Sequence, residues 1–299
     1  MSNARSPQRD HPKYPRSPSS RPMRAKAGHA AAASPEAGRS PKRGRGSPNV
    51  GSWIYGRHAV IAALANPARR WRCLAVVAGH EREAASLVAG ARATKYGSGE
   101  AVRVLDLNSL AAILPGGAIH QGLALEVQPL AELDLDEVLR RAGTVGGRRI
   151  IIVLDRLSDP QNVGAILRSA AAFGAAAVVV SKPGAAPITG AVAKAASGAL
   201  ECVPLVRAVN LARTLDRLKE SQFWICGLDE TAAHSLGELD LGERIAIVLG
   251  SEGSGIRRLV REQCDYIARL PTRPAQPSLN VSNAAAVALY ELVRNRSVA

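Results

Sequence analysis

The apolar positions of this 299-residue chain fall into two blocks separated by a polar stretch rich in charge and glycine. In the first block, residues 59–65 form a helical apolar run that stops at Asn66 and Pro67, where a missing N–H breaks the helix. Residues 73–77 are strand-like, residues 83–96 read as an alanine-rich helix, and residues 102–105 as another strand. A short helix over 107–114 and a strand over 122–127 complete an alternation that predicts a small α/β domain, residues 51–128. Residues 129–147 carry a charged helical stretch followed by Gly143, Gly146 and Gly147, and read as a linker. The second block, residues 148–299, opens on the uninterrupted apolar run 150–154, the pattern of a parallel strand buried on both faces. Strand-like runs recur at 177–180, 223–226 and 245–249 with helical segments between them, predicting an α/β domain with a mostly parallel sheet.

Composition changes this picture at one end only. Residues 1–50 are dominated by Pro, Ser, Arg, Gly and Ala, and carry a net charge of +9 out of the total of +14. Such a segment buries too little apolar surface to offset its ordering entropy, so a disordered basic tail is expected there. The rest of the chain is only mildly basic, which fits contact with phosphate on one face without requiring it. Four scattered cysteines, Cys73, Cys202, Cys226 and Cys264, form no C-x-x-C pair and have no His at ligand spacing. Neither a metal site nor a disulfide framework is expected, and a reducing cytoplasm suits the chain. The longest apolar stretch, near residues 170–180, is about half of a membrane span, so no membrane partner is expected.

In open parallel sheets, ligands sit beyond the carboxyl ends of the strands. Three polar loops occupy such positions. The first is residues 155–168, where Asp159 and Pro160 make a helix start and Asn162 and Arg168 follow within two turns. The second is the glycine-rich turn 250–255, which lacks the Lys-Ser/Thr of a Walker A loop and the spacing of a dinucleotide fingerprint. The third, residues 270–284, holds three prolines within seven positions and runs into an apolar helix that Ser278 or Ser282 can cap. Taken singly, ordinary capping and turn chemistry explains each loop as well as function does.

Together, in this order and on these elements, the three loops resemble the signature motifs of the SpoU branch of the SPOUT RNA methyltransferases. Residues 278–282 (Ser-Leu-Asn-Val-Ser) carry the strongest match, with residues 162–168 and 250–253 completing the set. Upstream, residues 55–60 and 118–122 resemble the small substrate-binding domain of the subfamily that methylates a guanosine 2′-hydroxyl in large-subunit (23S) rRNA. The resemblance implies a trefoil knot in the C-terminal domain, a homodimer, and S-adenosylmethionine as cofactor. It implies that Gly250, Ser251, Gly253, Leu270, Leu279 and Asn280 hold the cofactor. Arg168, Asn162, Glu252, Ser278 and Asn280 would form the catalytic frame, with Glu252 close to Arg168 and fixing its orientation. Arg57, His58, His120 and Gln121 would contact RNA. Two departures from the family pattern bear on substrate identity: the proline-rich approach 272–277, and Asn283 where an aliphatic residue is usual.

Other classes fit less well. Against a tRNA ribose methyltransferase of the same branch stands the small N-terminal domain, which resembles that of the rRNA subfamily. A non-catalytic ribosome-assembly protein would tolerate loss of Arg168, Glu252 and Asn280, all of which are present. A nicotinamide-dependent oxidoreductase needs glycines directly after the first strand, and residues 155–159 offer none.

Overall fold

The computed structural model describes residues 52–142, 148–273 and 278–294. The basic tail, the glycine cluster of the expected linker and residues 274–277 of the third loop lie outside the described residues.

The first sheet is built from β1 (Ser52–Tyr55), β2 (Arg70–Val77), β3 (Thr94–Lys95), β4 (Val102–Leu105) and β5 (Leu123–Val127). β5 lies between β1 and β2 and is antiparallel to both, while β3 and β4 each pair in parallel with β2. Helices α1 (Arg57–Ala65), α2 (Glu81–Ala89) and α3 (Leu107–Ala112) connect the strands. The helix expected over 83–96 ends early. Gly90 caps α2, and Thr94 and Lys95 pair with Arg70 and Trp71 as β3.

The second sheet is wholly parallel. Its strands are β6 (Arg149–Asp155), β7 (Ala177–Ser181), β8 (Leu205–Ala208), β9 (Trp224–Leu228), β10 (His234–Ser235), β11 (Arg244–Gly250) and β12 (Tyr266–Arg269), in the spatial order β10-β12-β9-β11-β6-β7-β8. The helices are α4 (Leu135–Ala142), α5 (Pro160–Ala172), α6 (Gly190–Ala196), α7 (Leu211–Glu220), the short α8 (Arg258–Arg261) and α9 (Val281–Val293). Alternation along the apolar strands divides the core. Ile150, Ile152, Leu154, Ile245, Ile247 and Leu249 face α5, α6 and α9, whereas Ile151, Val153, Ala246 and Val248 face α4, α7 and α8. Each fully buried Ile or Leu contributes about 1.5–3 kcal/mol, which is why such runs specify a central strand. Part of the expected linker therefore belongs to this core: Leu135 and Val138 of α4 are buried beneath the sheet.

The two sheets share one apolar cluster and a polar seam. Gly190 of α6 lies so close to β1 that an added Cβ would stand 2.2 Å from the Trp53 carbonyl oxygen. Beside it, Arg69 Nε donates to Glu201 Oε2 at 3.1 Å, Arg69 Nη1 to the Gln128 carbonyl at 2.9 Å, and Asn66 Nδ2 to Glu201 Oε2 at 2.8 Å. Arg69 Nη2 also pairs with Glu201 Oε1, and both side chains are almost fully buried. A buried pair with its donors satisfied in this way is costly to break, at about 3–5 kcal/mol for loss of one partner.

Candidate functional site

Because the strands are parallel, the ends of β6, β9, β11 and β12 open on one side, and β11 sits between β6 and β9 where the strand order departs from chain order. Asp155 closes β6 directly opposite Gly250, the last residue of β11. This is the crevice position at which open α/β sheets bind ligands.

The first loop leaves β6 and enters α5. Asp159 caps that helix by accepting the Gln161 N–H at 2.9 Å, with Pro160 in the first helical position. Asn162 follows in the first turn and is only 7% exposed. The second loop is a tight turn. The Gly255 N–H donates to the Ser251 carbonyl at 2.9 Å, and the Ser251 and Ser254 hydroxyls meet at 2.6 Å. Gly250 has no alternative here, since a Cβ would stand 2.1 Å from the Gly255 carbonyl carbon. In the third loop, Asn280 rather than Ser278 or Ser282 caps α9. Its Oδ1 accepts the Ser282 N–H at 2.9 Å and the Ser282 hydroxyl at 2.6 Å. Asparagine competes well for this role because its short amide reaches the N–H two residues on.

The loops meet through side chains. Glu252 Oε1 accepts Asn162 Nδ2 at 2.5 Å and Asn280 Nδ2 at 3.1 Å, and Asn280 Nδ2 also reaches Asn162 Oδ1 at 3.2 Å. One residue from each loop thus enters a single hydrogen-bonded centre. With Asn280 Oδ1 committed to the helix cap, its amide nitrogen is the group left to face Glu252.

Arg168 is not part of this centre. It is exposed, and among the described residues it makes no hydrogen bond or ion pair, so the expected contact with Glu252 is absent. The reason is helical geometry: at about 100° per residue, six positions carry Arg168 well around α5 from Asn162. The neighbouring α9 exposes Val287 and Tyr290, with the Tyr290 ring edge-on to Phe173 at the end of α5. Ser278 and Leu279 are exposed on the approach to α9, and Leu270 is half-buried after β12. Ser251 is half-buried and Gly253 exposed, with Gly253 at φ 86° and open space around it.

In the small sheet's loops, the Arg57 N–H donates to Gln121 Oε1 at 3.2 Å, and the Arg57 guanidinium pairs with Glu83. His120 Nδ1 accepts the Gly122 N–H at 3.2 Å, and His58 is exposed. The structure therefore joins Arg57 to Gln121.

Asp155 at the end of β6 and Arg257 at the start of α8 escaped the sequence reading. Asp155 is fully buried and takes the Arg257 N–H at 2.9 Å, Arg257 Nε at 2.7 Å and Arg257 Nη2 at 2.6 Å. This pair ties the residues following the glycine turn to the end of β6. The available signal was an acid closing a buried apolar strand, since a charge there requires a cationic partner. Elsewhere, burial pushes the Cys226 and Cys264 thiols up to about 12, so neither is poised as a nucleophile. Among the described residues, no group of three His, Cys, Asp or Glu could hold a metal ion, and no helix is long and apolar enough to cross a membrane.

Comparison with known proteins agrees with this geometry. The model of the SpoU rRNA Methylase family matches residues 149–290, and that for RNA 2′-O ribose methyltransferase substrate binding matches residues 53–133. The 23S rRNA (guanosine-2′-O-)-methyltransferase RlmB of Pseudomonas syringae pv. tomato is 41% identical over 248 residues, covering 82% of this chain and 96% of that protein. RlmB of Vibrio cholerae is 46% identical over 183 residues, covering 60% and 72%. Among solved structures, the SpoU methyltransferase AviRb of Streptomyces viridochromogenes in complex with AdoMet shares the fold, with TM-score 0.68 at 24% identity over 82% of this chain and 90% of that one. From the three converging loops and from these relatives, the chain belongs to the SpoU rRNA methylase family.

Proposed function

We propose that this chain transfers a methyl group from S-adenosylmethionine to the ribose 2′-hydroxyl of a guanosine in 23S rRNA, in the cytoplasm and as a homodimer. The carrying observation is the Asn162–Glu252–Asn280 centre at the carboxyl ends of β6 and β11. The 41% identity with RlmB over nearly its whole length supports the choice of substrate. The trefoil knot of the family is part of the same reading.

The strand ends suit the cofactor. Gly250 leaves no room for a side chain but exposes backbone, Gly253 faces open space, and Leu270 and Leu279 offer apolar surface for an adenine. Gly250, Ser251, Gly253, Leu270, Leu279 and Asn280 would hold it. Bound there, it supplies a sulfonium methyl that is already electrophilic, so no metal is needed. The chain's own work lies on the acceptor side. A neutral 2′-hydroxyl is a weak nucleophile and gives up its proton, to solvent water, near the transition state as the O–CH3 bond forms and the S–CH3 bond breaks. Guanidinium scarcely deprotonates, so Arg168 acts as a fixed charge that grips the adjacent phosphate and favours the alkoxide. Asn162, Glu252, Ser278 and Asn280 frame ribose and cofactor.

A second copy completes the site in this reading. Arg168 lies away from Glu252 within one chain, and the exposed Val287 and Tyr290 of the neighbouring α9 are apolar surface of the kind a dimer covers. Arg57, His58, His120 and Gln121 contact RNA from the small sheet.

The test is methyl transfer by the purified full chain, with labelled S-adenosylmethionine and either protein-free 23S rRNA or bulk tRNA. Label recovered as 2′-O-methylguanosine from 23S rRNA is expected. Label in tRNA alone would move the assignment to the tRNA enzymes of this branch, and no transfer to either RNA would favour a non-catalytic binding protein.

A further inference from the structure

The seam between the sheets carries a second polar contact outside the centre described above. Lys194 on α6 donates from Nζ to the side-chain oxygen Oε1 of Gln121 at 2.5 Å. The same oxygen accepts the Arg57 backbone N–H at 3.2 Å. Both partners are obligate donors, since neither an ammonium nor a main-chain N–H has a lone pair to offer. The Gln121 amide therefore has one orientation: its oxygen is committed to the protein and its nitrogen is left over. That nitrogen has no acceptor among the described residues, and Gln121 is exposed.

The backbone supports this arrangement. Gln121 itself is left-handed at φ 54° and Gly122 follows at φ 79°. Gly56 has φ 88°, and a Cβ there would stand 2.5 Å from Lys194 Cδ and 2.6 Å from Nζ, so the lysine stem crosses a position that only glycine can fill. Lys194 is half-buried, and desolvation holds its ammonium below the ordinary lysine range. Its helix is in turn pressed against α5, where a Cβ on Gly164 would stand 2.3 Å from Ala195 Cβ. The Gln121 amide is thereby held in register with the helix that carries Asn162 and Arg168.

We propose that Lys194 is a positioning residue for substrate recognition: it fixes the Gln121 amide so that its two N–H groups donate to an acceptor atom of the substrate RNA. This rests on the reading of the chain as an RNA methyltransferase. An amide so fixed can only donate at its free end, so it discriminates acceptors from donors on the RNA.

The test uses the full-length protein and a 23S rRNA fragment, with RNA KM, kcat, cofactor Kd and melting temperature measured for each variant. Gln121→Glu keeps an oxygen for Lys194 and Arg57 but puts an acceptor where the donors were. Its KM for RNA is expected to rise about tenfold or more, with kcat, cofactor Kd and melting temperature unchanged. Lys194→Met should raise RNA KM about fivefold, because the amide is then held by the longer Arg57 N–H bond alone, and Lys194→Arg should recover most of that loss. An unchanged RNA KM in Gln121→Glu, with wild type active, would overturn this proposal alone. So would a Lys194→Met variant whose cofactor Kd and melting temperature shift as much as its RNA KM, since Lys194 would then be merely structural. Wild-type protein inert on the fragment would remove the underlying reading, and this proposal with it.

Discussion

The two sides of α5 differ sharply. On one, Asn162 is buried and tied to Glu252 and Asn280, which come from loops far away in the sequence. On the other, Arg168 stands exposed and, among the described residues, unpaired. The bonded side is already organised within a single chain, whereas the exposed side has an unsatisfied charge available to something else. A polar centre whose members are mutually satisfied costs no reorganisation when a ligand arrives. An exposed arginine commits nothing until a phosphate or a second subunit meets it. Under the proposed function, cofactor binding belongs to the first side and activation of the acceptor to the second.

The separation predicts which variants lose what. The largest effect is expected for Arg168→Ala: turnover falls by about 10³-fold or more, while cofactor Kd measured by calorimetry stays within about twofold. Lost cofactor affinity in a normally folded Arg168→Ala protein would merge the two sides. Next, Arg257→Ala leaves the Asp155 carboxylate buried without its cation, and the expected cost is about 3–5 kcal/mol in denaturant unfolding. Glu252→Ala deprives two amides of their acceptor, so cofactor affinity should fall about 10- to 100-fold, and Glu252→Gln, which retains an acceptor oxygen, should lose less.

The smallest effect concerns the thiols. Cys202 is exposed and should react with a thiol reagent in the native protein, while Cys226 should react only on unfolding. Its thiol is raised from 9.0 to about 12 by burial. Below pH 9.0 it is protonated in both states and contributes no pH dependence. Above that value the unfolded chain releases a proton that the folded chain still holds, so this group lowers stability as pH rises from 9.0 towards about 12. Equal native reactivity of the two thiols would contradict the burial.

Local pattern made the parallel strands legible: runs such as residues 150–154 and 245–249 are apolar on both faces because helices cover both. The three site loops were legible as a set through their family resemblance, although capping and turn chemistry accounts for each one alone. What the sequence concealed depends on pairing at long range. β3 exists only because Thr94 and Lys95 find Arg70 and Trp71. Asp155 and Arg257 are 102 residues apart, so neither announces the other. Ser278 and Ser282 were the candidate caps for α9, and the hydrogen bonds to Ser282 show that Asn280 between them takes the role. The expected closeness of Arg168 to Glu252 overlooked helical phase, since six residues carry Arg168 well around α5 from Asn162.

The most direct measurement is ribose-methylation mapping of 23S rRNA from cells with and without this gene. The account predicts loss of one 2′-O-methylguanosine, restored by the wild-type chain and not by Arg168→Ala. An unchanged 23S rRNA methylation pattern in cells lacking the gene would contradict it.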